Sequence, residues 1–173
     1  MKFQTEKAVE ILSRTPATVK SLLGNLSDDW IENAPDSENW SPFDIVGHLI
    51  HGEETDWIPR AEIILGQGEN LTFEPFDRFA QLEKSKGKTL NDLIEIFAAL
   101  RAKNLETLHE MNLTEEKLKL KGIHPELGEV TLEQLLATWV VHDLTHIKQI
   151  VTVLAHKYAE NVGVWKQYLS ILQ

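Results

Sequence analysis

The chain has 173 residues, with 17 Lys and Arg against 27 Asp and Glu, and a formal net charge of −10 with histidine neutral. That length, with 42% hydrophobic and 25% charged residues, suits one globular domain over 1–173 and excludes a disordered or fibrous chain. The acidic balance argues against nucleic acid or an anionic membrane as partner, because both are bound mainly through Lys and Arg. There is no cysteine, which removes disulfides, thiolate metal sites and a cysteine nucleophile together, so any metal must rely on histidine and carboxylate.

The opening Met1-Lys2-Phe3-Gln4-Thr5-Glu6 lacks the apolar stretch of a signal peptide, and no apolar run nears the roughly 18 residues of a membrane span. The expectation is a cytoplasmic protein. Apolar residues three and four apart predict a first helix from Thr5 to Leu23, kinked or split near Arg14 by Pro16, with Gly24-Asn25 as its stop. A polar loop follows from Leu26 to Trp40. Ser41-Pro42-Phe43-Asp44 then reads as a helix start, with Ser41 as cap, Pro42 at the first helical position and Asp44 at the positive end of the dipole. This second helix is expected to run to Leu65 with a bend at Pro59, and Gly66-Gln67-Gly68 ends it.

Residues 69–88 form a connection of about twenty residues, long enough for a crossover that makes helices 2 and 3 parallel. Thr89-Leu90-Asn91-Asp92 repeats the cap pattern and opens a third helix to Met111. Residues 118–130 alternate briefly among turn residues and predict an irregular excursion or a small hairpin. Thr131-Leu132-Glu133-Gln134 is a capping box for a fourth helix to Lys157, and a short helix is expected at Trp165–Leu172. The reading is all-α: a four-helix bundle with a long crossover between helices 2 and 3 and a short C-terminal helix.

Among the seven histidines, His142 and His146 lie one turn apart on the fourth helix, roughly 40° from one another around its axis. Both fall in the apolar stripe of Leu135, Trp139, Ile150 and Val153. One inward histidine is ordinarily satisfied by a nearby carbonyl or carboxylate. Two on one inward face carry a desolvation cost that a shared metal would explain. A third ligand should come from another helix. His156 is turned off the paired face, His109 stands at the end of the third helix and His124 precedes Pro125 in a loop, so these read as exposed or local residues. His48 and His51 remain, and periodicity allows His48 without selecting it.

Two strings, Asn39-Trp40-Ser41-Pro42-Phe43-Asp44-Ile45-Val46-Gly47-His48-Leu49-Ile50 and Trp139-Val140-Val141-His142-Asp143-Leu144-Thr145-His146, resemble the histidine-bearing segments of the DinB-like superfamily. The resemblance extends to the turn from His124-Pro125 to Gly128 and to Tyr158–Trp165. It implies a bundle with the crossover described, homodimers, and a three-histidine site for a divalent metal at His48, His142 and His146. On ligand chemistry three imidazoles suit zinc, nickel, iron or manganese about equally, and zinc or nickel is the leading expectation.

The resemblance also implies chemistry, because the superfamily includes transferases and an isomerase that use bacillithiol, mycothiol or glutathione. The leading expectation is a metal-dependent enzyme, a low-molecular-weight-thiol S-transferase acting on small electrophiles. Without a cysteine in the chain, the sulfur would arrive on a cosubstrate. The alternatives are a metal- or ligand-binding module without turnover and a metal-dependent hydrolase. Glu53, Glu54 and Asp143 read either as solvated helix residues or as groups that orient a ligand imidazole through its other N–H, and Trp139 is a candidate to line the site. No residue stands out in sequence as a general acid or base.

Overall fold

The computed structural model describes residues 1–31 and 40–173. Residues 32–39, most of the expected polar loop and the Asn39 of the family-like string, lie outside the described residues.

The first expected helix is two: α1, Thr5–Leu12, and α2, Thr15–Leu23. Pro16 falls in the first turn of α2, where a missing N–H has no helical partner to lose, so the break lies just before it. Asn25, with φ 62°, turns the chain away. A short α3, Asp28–Ile31, sits in the loop. The second expected helix is likewise α4, Pro42–Thr55, and α5, Trp57–Gly66. Pro59 offers no N–H to the Thr55 carbonyl and its ring crowds it, so the bend lies upstream of the proline, at Asp56 (φ −110°, ψ −71°).

The connection after α5 carries α6, Ala80–Lys84, and leads to α7, Leu90–Glu110. A turn of helix, α8, Glu115–Leu118, precedes the hairpin of β1, Lys121–His124, and β2, Gly128–Thr131, paired antiparallel with Ile123 opposite Glu129. The longest helix, α9, spans Leu132–His156. The short helix expected at the C-terminus takes the form of two 3-10 helices, Gly163–Tyr168 and Ser170–Leu172. Helices α4, α7 and α9 all open on the expected capping boxes; in α4 the Asp44 N–H donates to Ser41 Oγ at 3.2 Å and the Ser41 N–H to Asp44 Oδ2 at 3.0 Å.

Two apolar clusters set the directions of the four columns. One joins Leu12 of α1, Trp57 and Ile64 of α5, Leu108 of α7 and Leu136 and Trp139 of α9. The other joins Val19 and Leu23 of α2, Ile45 and Leu49 of α4, Leu90 and Phe97 of α7 and Ile150 of α9. Thus α1–α2 and α9 run one way and α4–α5 and α7 the other, and the chain between α5 and α7 has to cross back along the bundle. This is a four-helix bundle with the expected crossover.

The crossover is tied down on its way. The Phe73 N–H donates to the Ile123 carbonyl and the Ile123 N–H to the Leu71 carbonyl, both at 2.9 Å, which adds one parallel bridge to the hairpin. Further on, α6 lies against α4 at Gly47, where a Cβ would come within 2.6 Å of Ser85 Oγ. Crossover and hairpin therefore meet beside the groove between α5 and α9. Among the described residues no helix is long and apolar enough to cross a membrane.

Candidate metal centre

Three imidazoles meet where α4 packs against α9. His142 Nε2 lies 3.2 Å from His48 Nε2 and 3.1 Å from His146 Nε2. Helical period places His142 under His146, and the antiparallel packing of α4 brings His48 to them from 94 residues away. Imidazole nitrogens that share a metal at about 2.0–2.1 Å are about 3.0–3.4 Å apart, so the spacing already fits a common cation.

The proton arrangement supports the same fit. A ring nitrogen carries either a proton or a lone pair, and His142 Nε2 faces two neighbours. If it accepts from both, its own Nδ1 proton is buried without an acceptor and His48 Nδ1 is a buried lone pair without a donor; both atoms lack a partner among the described residues. A cation between three Nε2 lone pairs resolves the convergence at Nε2, with each ring protonated at Nδ1, while the Nδ1 protons of His48 and His142 still find no acceptor among the described residues. His146 Nδ1 then donates to Gln149 Oε1 at 2.9 Å.

Burial keeps the rings neutral, as ligands must be. Desolvation first, and then the charge of neighbouring imidazoles, pushes His48 down to about 3 and His142 down to about 2. Burial also lowers His146, opposed by its bond to Gln149. His51 is buried as deeply as His48 but points elsewhere, with its Nδ1 3.3 Å from Lys84 Nζ and its ring against Phe76. His109 and His156 are exposed.

The carboxylates face away from the imidazoles. Glu53 and Asp143 are buried, not solvated, and both bind Arg101: Nη1 and Nη2 reach Asp143 at 2.6 and 3.0 Å, and Nε and Nη2 reach Glu53 at 3.1 and 2.7 Å. The Leu12 carbonyl accepts a further bond from Nη1, so all five N–H groups of this guanidinium have acceptors. Asn104 and Trp139 Nε1 complete the shell of Glu53. Glu54 pairs instead with Lys84 at 2.6 Å near the surface. Neither Arg101 nor Asn104 carries any signal in sequence, since a lone Arg and Asn on an amphipathic helix read as solvated.

The aromatic rings at the imidazoles are also other than expected. Trp40 and Phe76 pack on His48 with centroids 4.7 and 5.3 Å away, and Trp57 packs on His142 at 5.0 Å. Trp139, fully buried, stacks behind Trp57 at 5.8 Å.

A cavity of about 290 Å³ opens beside His48 and His142. Its long walls are α4–α5, through Gly52, Asp56 and Arg60, and α9, through Leu135 and Thr138; Phe73, Phe76 and the hairpin close it. His124 is part of that wall. The expected loop residue stands at the end of β1, half-buried, because the hairpin folds onto the groove.

The family model of the DinB superfamily matches residues 11–150, a span that holds all three histidines. The chain belongs to the DinB superfamily. This DinB-superfamily chain is 25% identical over 150 residues to the Bacillus subtilis (strain 168) protein named "Putative metal-dependent hydrolase YfiT", covering 86% of this chain and 83% of YfiT. The solved structure of YfiT superposes with a TM-score of 0.75 at 22% identity, over 94% of this chain and 90% of that one, and is described as having an unusual four-helix bundle topology.

Proposed function

We propose that the protein is a divalent-metal-dependent enzyme for small molecules, with His48, His142 and His146 as ligands and hydrolysis as its reaction. The observation that carries this reading is the meeting of three Nε2 atoms, with those of His48 and His146 3.2 and 3.1 Å from that of His142, beside a cavity of about 290 Å³. Three protein ligands leave coordination positions for a reactant, and the cavity is where that reactant would enter. A divalent cation held by His48, His142 and His146 would supply Lewis acidity for the activation of water or a thiol.

The residues do the rest. Trp40, Trp57 and Phe76 hold the imidazole planes and keep bulk water from them. Gln149 orients His146 through its Nδ1 proton. The ion cluster of Arg101, Glu53 and Asp143 stiffens α4, α7 and α9 directly behind the ligands. Hydrolysis takes support from the similarity to YfiT, which is named as a metal-dependent hydrolase. Thiol S-transfer is the second reading, favoured by the apolar, aromatic wall next to His48 and His142, which suits a soft, weakly hydrated nucleophile.

Metal analysis of the purified protein, followed by assay of the loaded form on p-nitrophenyl esters with and without added low-molecular-weight thiols, tests both. Turnover independent of thiol supports hydrolysis, and turnover that requires thiol replaces it with transfer. Unchanged activity in His142→Ala overturns the metal site.

A further inference from the structure

The chain buries two arginines against carboxylates, and they differ in one respect. Arg101 has acceptors for all five of its N–H groups. Arg60, 7% exposed, has its Nε 2.5 Å from Asp56 Oδ1 in an ion pair and donates one long bond, 3.4 Å, from Nη2 to the Glu74 carbonyl. No other acceptor engages it among the described residues. Its guanidinium lies over the Phe73 ring at 5.1 Å and borders the cavity. The residue is buried as a whole, and its unused N–H groups are open to the cavity, where an acceptor from outside the chain can reach them.

A second donor stands with it. His124 Nδ1 accepts from the backbone N–H groups of Glu126 and Leu127, both at 3.2 Å. That assigns the lone pair to Nδ1 and the proton to Nε2, so His124 is a neutral N–H donor, fixed by the tight turn at Pro125. It borders the same cavity, and its Nε2 has no partner among the described residues. The placement relative to the imidazole cluster follows from the helix. His48, Gly52, Asp56 and Arg60 are spaced by four and all line the cavity, so successive turns of α4–α5 carry its wall from the histidines to the guanidinium, about three turns away. Apolar side chains, Trp57 and Leu135 among them, lie between.

We infer that Arg60 and His124 form the recognition end of the cavity and bind a carboxylate on an otherwise apolar small molecule, whose reacting bond then lies at the histidine end. The assignment of ends rests on the function proposed above; the carboxylate site does not. Asp56 holds Arg60 in place and leaves its Nη groups to the ligand. Apolar walls accommodate the body of the molecule, and the free Nη groups with the His124 N–H select a carboxylate, which accepts at both oxygens, over a neutral amide, which offers one acceptor and brings donors that these groups cannot satisfy.

Isothermal titration with phenylacetate and with its neutral counterpart phenylacetamide tests this, on zinc-loaded and on chelator-treated protein. The metal-free arm matters because a carboxylate could also bind a cation directly. The expected result is that metal-free protein binds phenylacetate about tenfold more tightly than the amide. That preference falls at least about threefold in His124→Ala and vanishes in Asp56→Asn/Arg60→Met, which removes both charges together so that neither is left buried alone. Equal binding of the two probes, binding of neither, or a preference that survives in the double variant overturns the inference. Failure of the metal reading shows itself separately, as absence of zinc uptake with the carboxylate preference intact.

Discussion

Arg101 holds Asp143 through two hydrogen bonds, Nη1 to Oδ2 at 2.6 Å and Nη2 to Oδ1 at 3.0 Å, and Asp143 is the residue that follows His142. One residue of α9 thus faces the imidazole cluster while the next is gripped from α7, and the same guanidinium reaches Glu53 of α4. Charges so deeply buried are costly to desolvate, and burial raises the pKa of Glu53 against the pull of Arg101. Desolvation works against the Arg101 charge too, but its carboxylate partners outweigh it and raise its pKa. Arg101→Met leaves two carboxylates facing one another without a cation. We expect a loss of about 3–5 kcal/mol in urea denaturation; a change below about 1 kcal/mol would mean that the cluster adds nothing to the bundle.

Metal binding should depend on three histidines and on no others. His48→Ala, His142→Ala and His146→Ala are each expected to weaken zinc or nickel affinity by at least about 100-fold, since removal of a residue that merely orients a ligand already costs about 10–100-fold. His51→Ala, its ring turned toward Phe76 and Lys84, is expected to bind metal as the parent does. Competition against a chromogenic chelator measures both. Retained affinity in any of the first three, or its loss in His51→Ala, contradicts the ligand assignment.

The metal-free protein should be acid-sensitive from near neutral pH. His48 and His142 titrate at about 3 and about 2 in the folded state against 6.5 when unfolded, and His146 is also lowered. The unfolded chain therefore binds more protons between these values. The stability these groups contribute is present above pH 6.5 and is lost as pH falls, at up to about 1.4 kcal/mol per pH unit for each ring. Asp56 acts in the opposite sense. Burial, opposed by Arg60, pushes it up to about 6 from 3.8, so its contribution is present below 3.8 and is lost as pH rises through 6. Glu53, raised by burial, acts with Asp56, and the three cluster rings, joined by His51, which burial also lowers, outweigh these two carboxylates, so urea midpoints are expected to fall from pH 6.5 to 4.5. A midpoint that stays level would refute the buried, neutral state of the cluster.

Gly122 marks the tightest contact behind the cavity. A Cβ there would meet the Phe73 ring at 2.6 Å and Ile64 Cγ1 at 2.9 Å. Phe73 is buried beneath the hairpin and supports Arg60 from below, so it has little room to retreat. Gly122→Ala is expected to cost about 1–3 kcal/mol by overpacking, read from the thermal midpoint. It should also weaken ligands that reach Arg60 while leaving metal affinity unaltered. Parent-like stability would show that the hairpin rides freely over the crossover.

Much of the fold was legible because its signals are local. Ser41 with Asp44, Thr89 with Asp92 and Thr131 with Gln134 each act across one helical turn, so their spacing locates a helix start wherever the chain goes. Pro16 and Pro59 announce breaks for the same reason: the split expected near Arg14 lies there, and the bend expected at Pro59 lies at Asp56, because a proline offers no N–H to the carbonyl four residues earlier. His142 and His146 are paired by period alone. Arg101 was not legible: its partners Asp143, Glu53 and the Leu12 carbonyl lie 42, 48 and 89 residues away.

By itself, then, the sequence determined four helical columns, their starts and stops, the crossover and the inward histidine pair, all consequences of interactions within a turn or of the length of a connection. The tertiary structure decided what those columns bring together. It placed His48 rather than His51 against the pair, turned Glu53 and Asp143 toward Arg101, and folded the hairpin so that His124 and Arg60 share a cavity with the imidazoles. A helix face has about 100° of direction per residue and no memory of which neighbour it will meet. Only the packing of one helix on another selects that neighbour, and in this protein the packing selected a site.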